Sequence, residues 1–320
     1  MGNLNSMRNS NDYRSKMNSV SKLFSSSILA GLCVASSSLC YTNIAQAVSY
    51  TLADDNTTID TSTVNTSNQT VALDIQGTSA SPITNITFDN SSNPLEINNN
   101  RHGIESLYST VSFDGALSFN ANTFDATDIQ FSVVTFNDSV TVSNSTRDAL
   151  TIRTNSEATF NGDVTSTNNN RHGIYVLTST ITFNGNVVTT NNGVLGLSCV
   201  TGAAIFNGDV TATGNANTDL YFQNSSGIFN GNVTAETFYI RRTNNTTYDL
   251  IFGDETKDTI IDTLITTSAF GVGKLTFNGR TTVKKSIGTA SGPAREIHFK
   301  SADPANFINL NADIFANDIF

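Results

Sequence analysis

Apolar residues return along this chain at a long, regular period, and the most regular of them are phenylalanines. Successive positions are 25, 23, 24, 23, 23, 23, 23, 25 and 22 residues apart. The ten positions are Phe88, Phe113, Phe136, Phe160, Phe183, Phe206, Phe229, Phe252, Phe277 and Phe299. A fixed period of this length indicates a repeat architecture in which each unit packs on its neighbours.

Each repeat also alternates in polarity around its phenylalanine. The residue two positions earlier is nearly always apolar, as in Val134 and Ile181. This period of two predicts a strand with one buried side. An Asn-Gly pair follows the phenylalanine at 161–162, 184–185, 207–208, 230–231 and 278–279. In the first four of these repeats a valine follows two residues after the pair, as at Val164.

An Asn-Gly pair between strands usually predicts a hairpin. In a two-residue hairpin Phe160 would lie opposite Asp163, and Thr159 would lie opposite Val164, so the two apolar residues would be on different faces. In a β-arc, where the chain turns a corner, Phe160 and Val164 point into one shared interior. The pattern therefore favours the arc.

A repeat of about 23 residues divides into three short strands, for example at 180–183, 186–190 and 173–177. We predict an all-β fold, a single-stranded right-handed parallel β-helix with nine to ten rungs of about 23 residues. Ten positions at the usual strand spacing give a rod of roughly 45 Å. A longer repeated motif supports this period, because NNNRHGI at 98–104 occurs again at 168–174, three periods later.

The chain divides into four predicted segments. Residues 1–47 are a signal peptide, with basic residues, an apolar stretch at 23–35 and Ala45-Gln46-Ala47 before cleavage at Val48. Either Met1 or Met17 can be the start. The apolar stretch is too short to cross a bilayer core of ~30 Å. Residues 48–82 form an N-terminal cap, 83–301 the β-helix, and 302–320 a truncated C-terminal rung or tail.

Composition excludes some partners. The formal net charge is -10 and the isoelectric point is near 4.6, which argues against binding to nucleic acid or anionic lipid. Only 14% of the residues are charged, and the polar residues are mainly Asn, Thr and Ser. Cys33 and Cys40 lie in the predicted signal peptide. The mature chain therefore keeps Cys199 alone, which we expect to be a buried, inert thiol.

A family resemblance is most specific near the C-terminus, in LTFNGRTTV at 275–283, IGT at 287–289, Pro293 and IHF at 297–299. This sequence resembles the passenger region of the rickettsial surface cell antigen autotransporters, of the outer membrane protein A and B type. The resemblance extends more loosely over about two thirds of the chain. It implies a signal peptide, a β-helical passenger on the cell surface, a role in adhesion to host cells, and a C-terminal membrane barrel.

A membrane barrel needs many strands of ~10 residues, and about twenty residues follow Phe299. We therefore expect a passenger whose outer-membrane barrel is separate or lost. The expected location is the cell surface or outer membrane, or the periplasm if the barrel is absent.

Three groups of residues could carry chemistry in such a fold. Asp163 and Asp209 lie two periods apart, about 10 Å, whereas acid and base in a glycosidase lie ~5 to 9.5 Å apart. Three rungs, about 14 Å, separate His102 from His172, which is too far to share one ion. The densest acidic cluster, at 254–262, lacks the spacing of a calcium loop. We predict no catalytic, cofactor-binding or metal-binding residue.

The function predicted from sequence is that of a non-enzymatic, structural and adhesive surface antigen, which binds a host-cell surface protein or glycan. Two alternatives stay open. One is a polysaccharide-active β-helix enzyme, which requires an acidic cleft, and the other is a non-functional truncated gene product. The sequence does not predict a receptor, the binding residues or the oligomeric state.

Overall fold

The computed structural model describes residues 48–50, 57–60, 69–92, 94–242, 248–268, 274–301 and 307–320. The predicted signal peptide, with Ala45 and Ala47, lies outside these residues. Within them the chain is all-β and helix-free, and its parallel strands stack as a solenoid of about ten turns with a spacing of about 23 residues. The predicted parallel β-helix is therefore confirmed, while its right-handed sense stays a prediction.

The described strands lie on three faces of the solenoid. Face 1 is one twelve-stranded sheet. Its strands are β2 Thr58–Asp60, β4 Ile83–Asp89, β7 Ser109–Phe113, β10 Val133–Phe136, β13 Glu157–Phe160, β16 Thr180–Phe183, β19 Ala203–Phe206, β22 Ser226–Phe229, β24 Asp249–Phe252, β26 Lys274–Asn278, β28 Ala294–Lys300 and β30 Ala316–Ile319.

Faces 2 and 3 belong to one eighteen-stranded sheet. The strands of face 2 are β5 Leu95–Asn98, β8 Leu117–Asn120, β11 Val140–Ser143, β14 Val164–Thr167, β17 Val187–Thr190, β20 Val210–Thr213, β27 Arg280–Val283 and β29 Asn309–Leu310. Those of face 3 are β1 Val48–Tyr50, β3 Val71–Gln76, β6 His102–Leu107, β9 Thr127–Gln130, β12 Leu150–Arg153, β15 His172–Leu177, β18 Leu195–Val200 and β21 Thr218–Gln223. Two longer strands, β23 Val233–Arg241 and β25 Asp258–Thr267, pass from face 2 to face 3.

The phenylalanines of face 1 form one column along the interior. Phe136, Phe160 and Phe183 are register partners in β10, β13 and β16. Neighbouring rings are stacked, with centroids 4.5–5.9 Å apart and planes inclined by 7–29°. Nine of the ten are fully buried, and Phe299 is partly buried against the same core. Parallel in-register pairing places like residues on like residues, so the core runs along the rod.

The corner between faces 1 and 2 contains the Asn-Gly pairs. Phe160 and Val164 are both 0% exposed, so the predicted β-arc is confirmed. The side-chain Nδ2 of Asn161 donates to Oδ1 of Asn137 at 2.8 Å, and later rungs repeat this contact. A Cβ at Gly185 would lie 2.5 Å from the backbone of Gly162. Glycine is therefore required by the close stacking of rungs and not by a hairpin turn.

The other two corners are also held by ladders of polar side chains. At the corner between faces 2 and 3, the backbone N–H of Asn169 donates to Oδ1 of Asn192 at 3.2 Å. Between faces 3 and 1, the backbone N–H of Ser156 donates to Oγ of Ser179 at 3.1 Å. These corners turn through left-handed residues with φ between 48° and 66°. Buried corner amides thus find their acceptors one rung away.

The stacked rungs extend beyond both predicted limits of the β-helix, 83 and 301. On the N-terminal side, β1 pairs in parallel with β3, and β3 pairs with β6. On the C-terminal side, β29 pairs with β27 and β30 pairs with β28. Described parts of 48–82 and 302–320 therefore continue the ladders, because their backbone groups find parallel partners in the next rung. The capping role of 48–82 stays a prediction.

Candidate functional site

Basic residues are concentrated on face 3. Between residues 48 and 240 the chain has no lysine, four arginines and two histidines. The strand register brings all six to one part of face 3, in the four consecutive rungs of β6, β9, β12 and β15. The six residues are Arg101, His102, Arg147, Arg153, Arg171 and His172. The basic residues of 48–240 therefore lie together on neighbouring rungs.

Two rows of side chains follow from this register. Ile104, Thr127, Leu150 and Ile174 are register partners on successive rungs. We define the inner column as the residues two positions before these partners. The outer row is the set of residues three positions before them. The inner column is His102, Asp125, Asp148 and His172. The outer row is Arg101, Phe124, Arg147 and Arg171. The corner between faces 2 and 3 thus contains two acids between two histidines, beside three arginines.

The outer row is ordered by an aromatic ring. The guanidinium carbons of Arg101 and Arg147 each lie 4.9 Å from the centroid of the Phe124 ring. Because Phe124 is on the rung between them, the two cations stack on its opposite sides. A cation over a ring contributes about 0.5–1 kcal/mol at an exposed site. Arg147 and Arg171 keep 40% and 45% of their side-chain surface exposed.

Asp148 is buried in the inner column, with 3% exposure. Nδ1 of His172 lies 2.8 Å from its Oδ1, a distance for an ion pair, although the ring N–H is off the line needed for a hydrogen bond. The backbone N–H of His172 donates to the same oxygen at 3.1 Å. Burial raises the pKa of Asp148, but His172 and then Arg171 outweigh it, so the pKa lies below its usual value.

Asp125, one rung away, is shifted in the opposite direction. It is 4% exposed, and burial together with the charge of Asp148 raises its pKa to about 6. Nε of Arg147 lies 3.8 Å from its Oδ1, and the backbone N–H of Asp148 donates to that oxygen at 3.2 Å. These contacts only partly offset the loss of solvation. Neighbouring carboxyls thus differ in pKa because His172 lies 2.8 Å from Asp148, whereas Arg147 comes no nearer to Asp125 than 3.8 Å.

A second carboxylate layer lies on the adjoining strand positions. Asp128 accepts two hydrogen bonds from Arg153, at 2.8 Å from Nε and 2.6 Å from Nη2. Glu105 lies 3.5 Å from Nδ1 of His102. Burial, then the charges of Asp74 and Asp128, raise the pKa of Glu105, whereas burial and then Arg101 lower the pKa of His102. Asp128 therefore fixes the position of Arg153 on face 3, and Glu105 lies beside His102 of the inner column.

The sequence candidates occupy other places. Asp163 and Asp209 are exposed at the corner between faces 1 and 2, where each accepts the backbone N–H of the next rung, from Asn186 at 2.7 Å and from Asn232 at 2.8 Å. This geometry gives them a role in the turn. His102 and His172 lie in one column three rungs apart, with Asp125 and Asp148 between them.

The acidic residues of 254–262 form ion pairs with nearby cations or hydrogen bonds within a turn. Asp258 pairs with Arg280, and Asp262 lies 3.5 Å from Lys284 and 3.3 Å from Lys285. Oδ1 of Asp254 accepts hydrogen bonds from the backbone N–H and hydroxyl of Thr256, which lower its pKa. Within the described ranges, no group of three or more His, Cys, Asp or Glu residues is placed to hold a metal ion.

Cys199 is buried in the core at 0% exposure, and burial raises the pKa of its thiol to about 12. Such a thiol is unreactive at neutral pH, because the thiolate is the nucleophilic form.

Sequence reasoning missed Asp125 and Asp148. Counting by the phenylalanine period from Arg101 gives positions 124, 147 and 171, at offsets of 23, 46 and 70 residues. The residues that follow these positions are the two aspartates and His172. Alignment of successive rungs, instead of the two similar motifs alone, would have found the inner column.

Comparisons with known proteins give no identification: no family model, curated protein or solved structure matches this chain. For the residues described above, no helix has the length and apolar character needed to span a membrane.

Proposed function

We propose that this protein is an exported, non-enzymatic binding module of autotransporter-passenger type, displayed at the cell surface or held in the periplasm. In this proposal it contacts host or neighbouring cells through face 3. The observation that supports it most is the collection of all basic residues of 48–240 on one surface of that acidic stretch of the solenoid. Exposed arginine and aromatic side chains are typical of recognition surfaces.

The rigid rod suits this function. Parallel stacking fixes the spacing of side chains along face 3, so a ligand meets a preorganised row and little conformational entropy is lost on binding. The buried carboxylates of Asp128 and Asp148 hold Arg153 and Arg171 in place. Recognition groups on a rigid element are more accurately placed than groups on loops.

Binding of the purified, labelled protein to host cells tests the proposal. We expect saturable binding that falls at least fivefold in the double variant Arg101→Gln/Arg171→Gln. The matched control, Thr159→Gln/Thr182→Gln, changes two partly exposed residues of face 1 and should bind as the wild type does. Binding no stronger than that of a scrambled-surface protein would refute the proposal, as would equal losses in both variants.

A polysaccharide-active enzyme is the second candidate, and one observation favours it. Asp125 and Asp148 lie in the same position of successive rungs, and their pKa values are shifted apart, as in acid and base pairs. Their side chains are only 5% and 4% exposed, which favours binding over catalysis. Release of reducing ends from acidic polysaccharides, abolished by Asp148→Asn, would support the enzyme instead.

A further inference from the structure

The outer row has unused hydrogen-bond donors. Nε of Arg147 is 3.8 Å from Asp125, and Nη1 of Arg171 is 3.6 Å from Asp148, so both contacts are longer than hydrogen bonds. Arg101 stacks on Phe124, and none of its guanidinium N–H groups has an acceptor among the described residues. A guanidinium carries five N–H groups in a planar fork that matches carboxylate and sulfate-like oxygens. Three such forks are therefore available to a ligand.

The spacing of these forks is set by the rungs. Arg147 and Arg171 are on neighbouring rungs, about 4.8 Å apart along the axis, and Arg101 is two rungs before Arg147. The three arginines therefore span about 14 Å in a straight line. A single small anion would use one fork. A polymer that carries acidic groups at intervals along its length would use all three.

Charge beneath the row limits which polymer fits. Asp125, Asp128 and Asp148 are all buried below the arginines, so the site is nearly neutral overall although its exposed layer is cationic. The whole chain has a net charge of -10. Nucleic acid, with a phosphate on every nucleotide, needs a broad positive field for its affinity. A glycan with spaced carboxylates or sulfates needs only local, directional donors.

We propose that the outer row, Arg101, Phe124, Arg147 and Arg171, is a binding site for an anionic glycan. The polymer lies along the corner between faces 2 and 3, parallel to the rod axis. Its carboxylate or sulfate groups accept hydrogen bonds from the three guanidinium forks, and Phe124 holds two of these forks apart. This inference rests on the proposed binding function and names the ligand class of the same surface.

Direct binding of the purified protein to immobilised polymers tests the site. The probes are a heparin-type sulfated glycan and polygalacturonate, which separate sulfate from carboxylate, with neutral dextran, polyglutamate and a single-stranded oligonucleotide as comparisons. We expect saturable binding to at least one anionic glycan, weak binding to polyglutamate and the oligonucleotide, and none to dextran. Equal affinity for every polyanion, or no affinity for either glycan, would overturn the proposal.

Two variants localise the binding. Arg101→Gln removes a guanidinium that has no carboxylate ion pair, so thermal stability should fall only slightly, through the lost stacking on Phe124. Affinity should fall about tenfold, as for one lost charged hydrogen bond. Arg171→Lys keeps the charge near Asp148 but loses the fork, and should also weaken binding. Arg280→Gln is the matched control, an arginine of similar exposure paired with Asp258 on a distant rung. It should change affinity less than twofold, and a loss equal to that of Arg101→Gln would refute the site.

The outcome separates this inference from the proposed function. If cells bind the protein but the two glycans do not, and if Arg101→Gln leaves cell binding unchanged, the glycan site is refuted and the surface-binding function stands. If the glycans bind and cells do not, the site stands and the cellular function is refuted.

Discussion

Phe183→Ala removes one ring from the middle of the phenylalanine column. Phe183 is 0% exposed and stacks on Phe160 and Phe206, with both centroid distances 5.1 Å. Deletion of a buried phenylalanine costs ~3 to 5 kcal/mol, the sum of lost transfer free energy and the cavity that remains. The two ring contacts favour the upper part of this range, because each stacked pair contributes about 0.5–1.5 kcal/mol beyond its buried area.

The free energy of unfolding can be measured by urea denaturation, followed by circular dichroism in the strand region. The matched control is Phe131→Ala, the same chemical change at a ring that is 38% exposed and stacks on Tyr108 at 4.6 Å. We expect this control to cost clearly less than Phe183→Ala, because 38% of the Phe131 surface is already in water, whereas Phe183 is fully buried.

Hydrogen exchange should locate the damage as well. Each rung contacts only its neighbours, so lost protection should be greatest in β13, β16 and β19 and should decrease toward both ends. A loss of stability below 1 kcal/mol for Phe183→Ala, or equal effects of the two variants, would refute the interior column as a source of stability.

Two further predictions concern the buried acid and the strained corner. Because the folded pKa of Asp125 is raised from 3.8 to about 6, the folded state binds more protons than the unfolded state between these values, and wild-type stability should fall as pH rises through this window, by up to about 3 kcal/mol. Denaturation at pH 4.5 and 7.5 should show a smaller fall for Asp125→Asn, and parallel pH curves would contradict the shift. Thr178→Asn should stabilise the fold by about 0.5–1 kcal/mol, because φ is 52° at this β-branched residue and Asn224 occupies the equivalent corner position. The control, Thr180→Asn in β16, should not stabilise the fold. A Thr178→Asn protein that is less stable than the wild type in the same urea assay would refute the strain at this corner.

The fold could be predicted from sequence because parallel, in-register pairing places similar residues on each other in successive rungs, and this leaves a regular period in the chain. The phenylalanine period alone predicted the interior column and the number of rungs. The β-arc at Phe160 and Val164 was predicted against the usual meaning of Asn-Gly, since only the arc buries both residues. The merging of faces 2 and 3 in β23 and β25 was not predicted. The alternation of buried positions continues through β25, but it shifts by one residue in β23, where the pairing register also shifts between Thr234 and Thr237.

The candidate site was much harder to predict. The repeated motifs point to His102 and His172, but three rungs separate these histidines, which is too far to share one ion. The residues between them, Asp125 and Asp148, share no motif with the histidines and emerge only when rungs are superposed. The left-handed conformation of Thr178 was also unpredictable, because threonine is a strand-favouring residue and the corner geometry overrides its preference.

The in-register stacking of rungs is tested most directly by a disulfide between outward positions of neighbouring rungs. Thr159 and Thr182 are 23 residues apart and are register partners in β13 and β16. In a background with Cys33, Cys40 and Cys199 replaced by serine, Thr159→Cys/Thr182→Cys should form an intramolecular disulfide on mild oxidation, because parallel partners lie within the Cα range of such bonds. Mass spectrometry of the linked peptides should find this bond, and Thr159→Cys/Val164→Cys, the pair that a hairpin would join, should stay reduced. A disulfide in the second protein and none in the first would contradict the stacked solenoid.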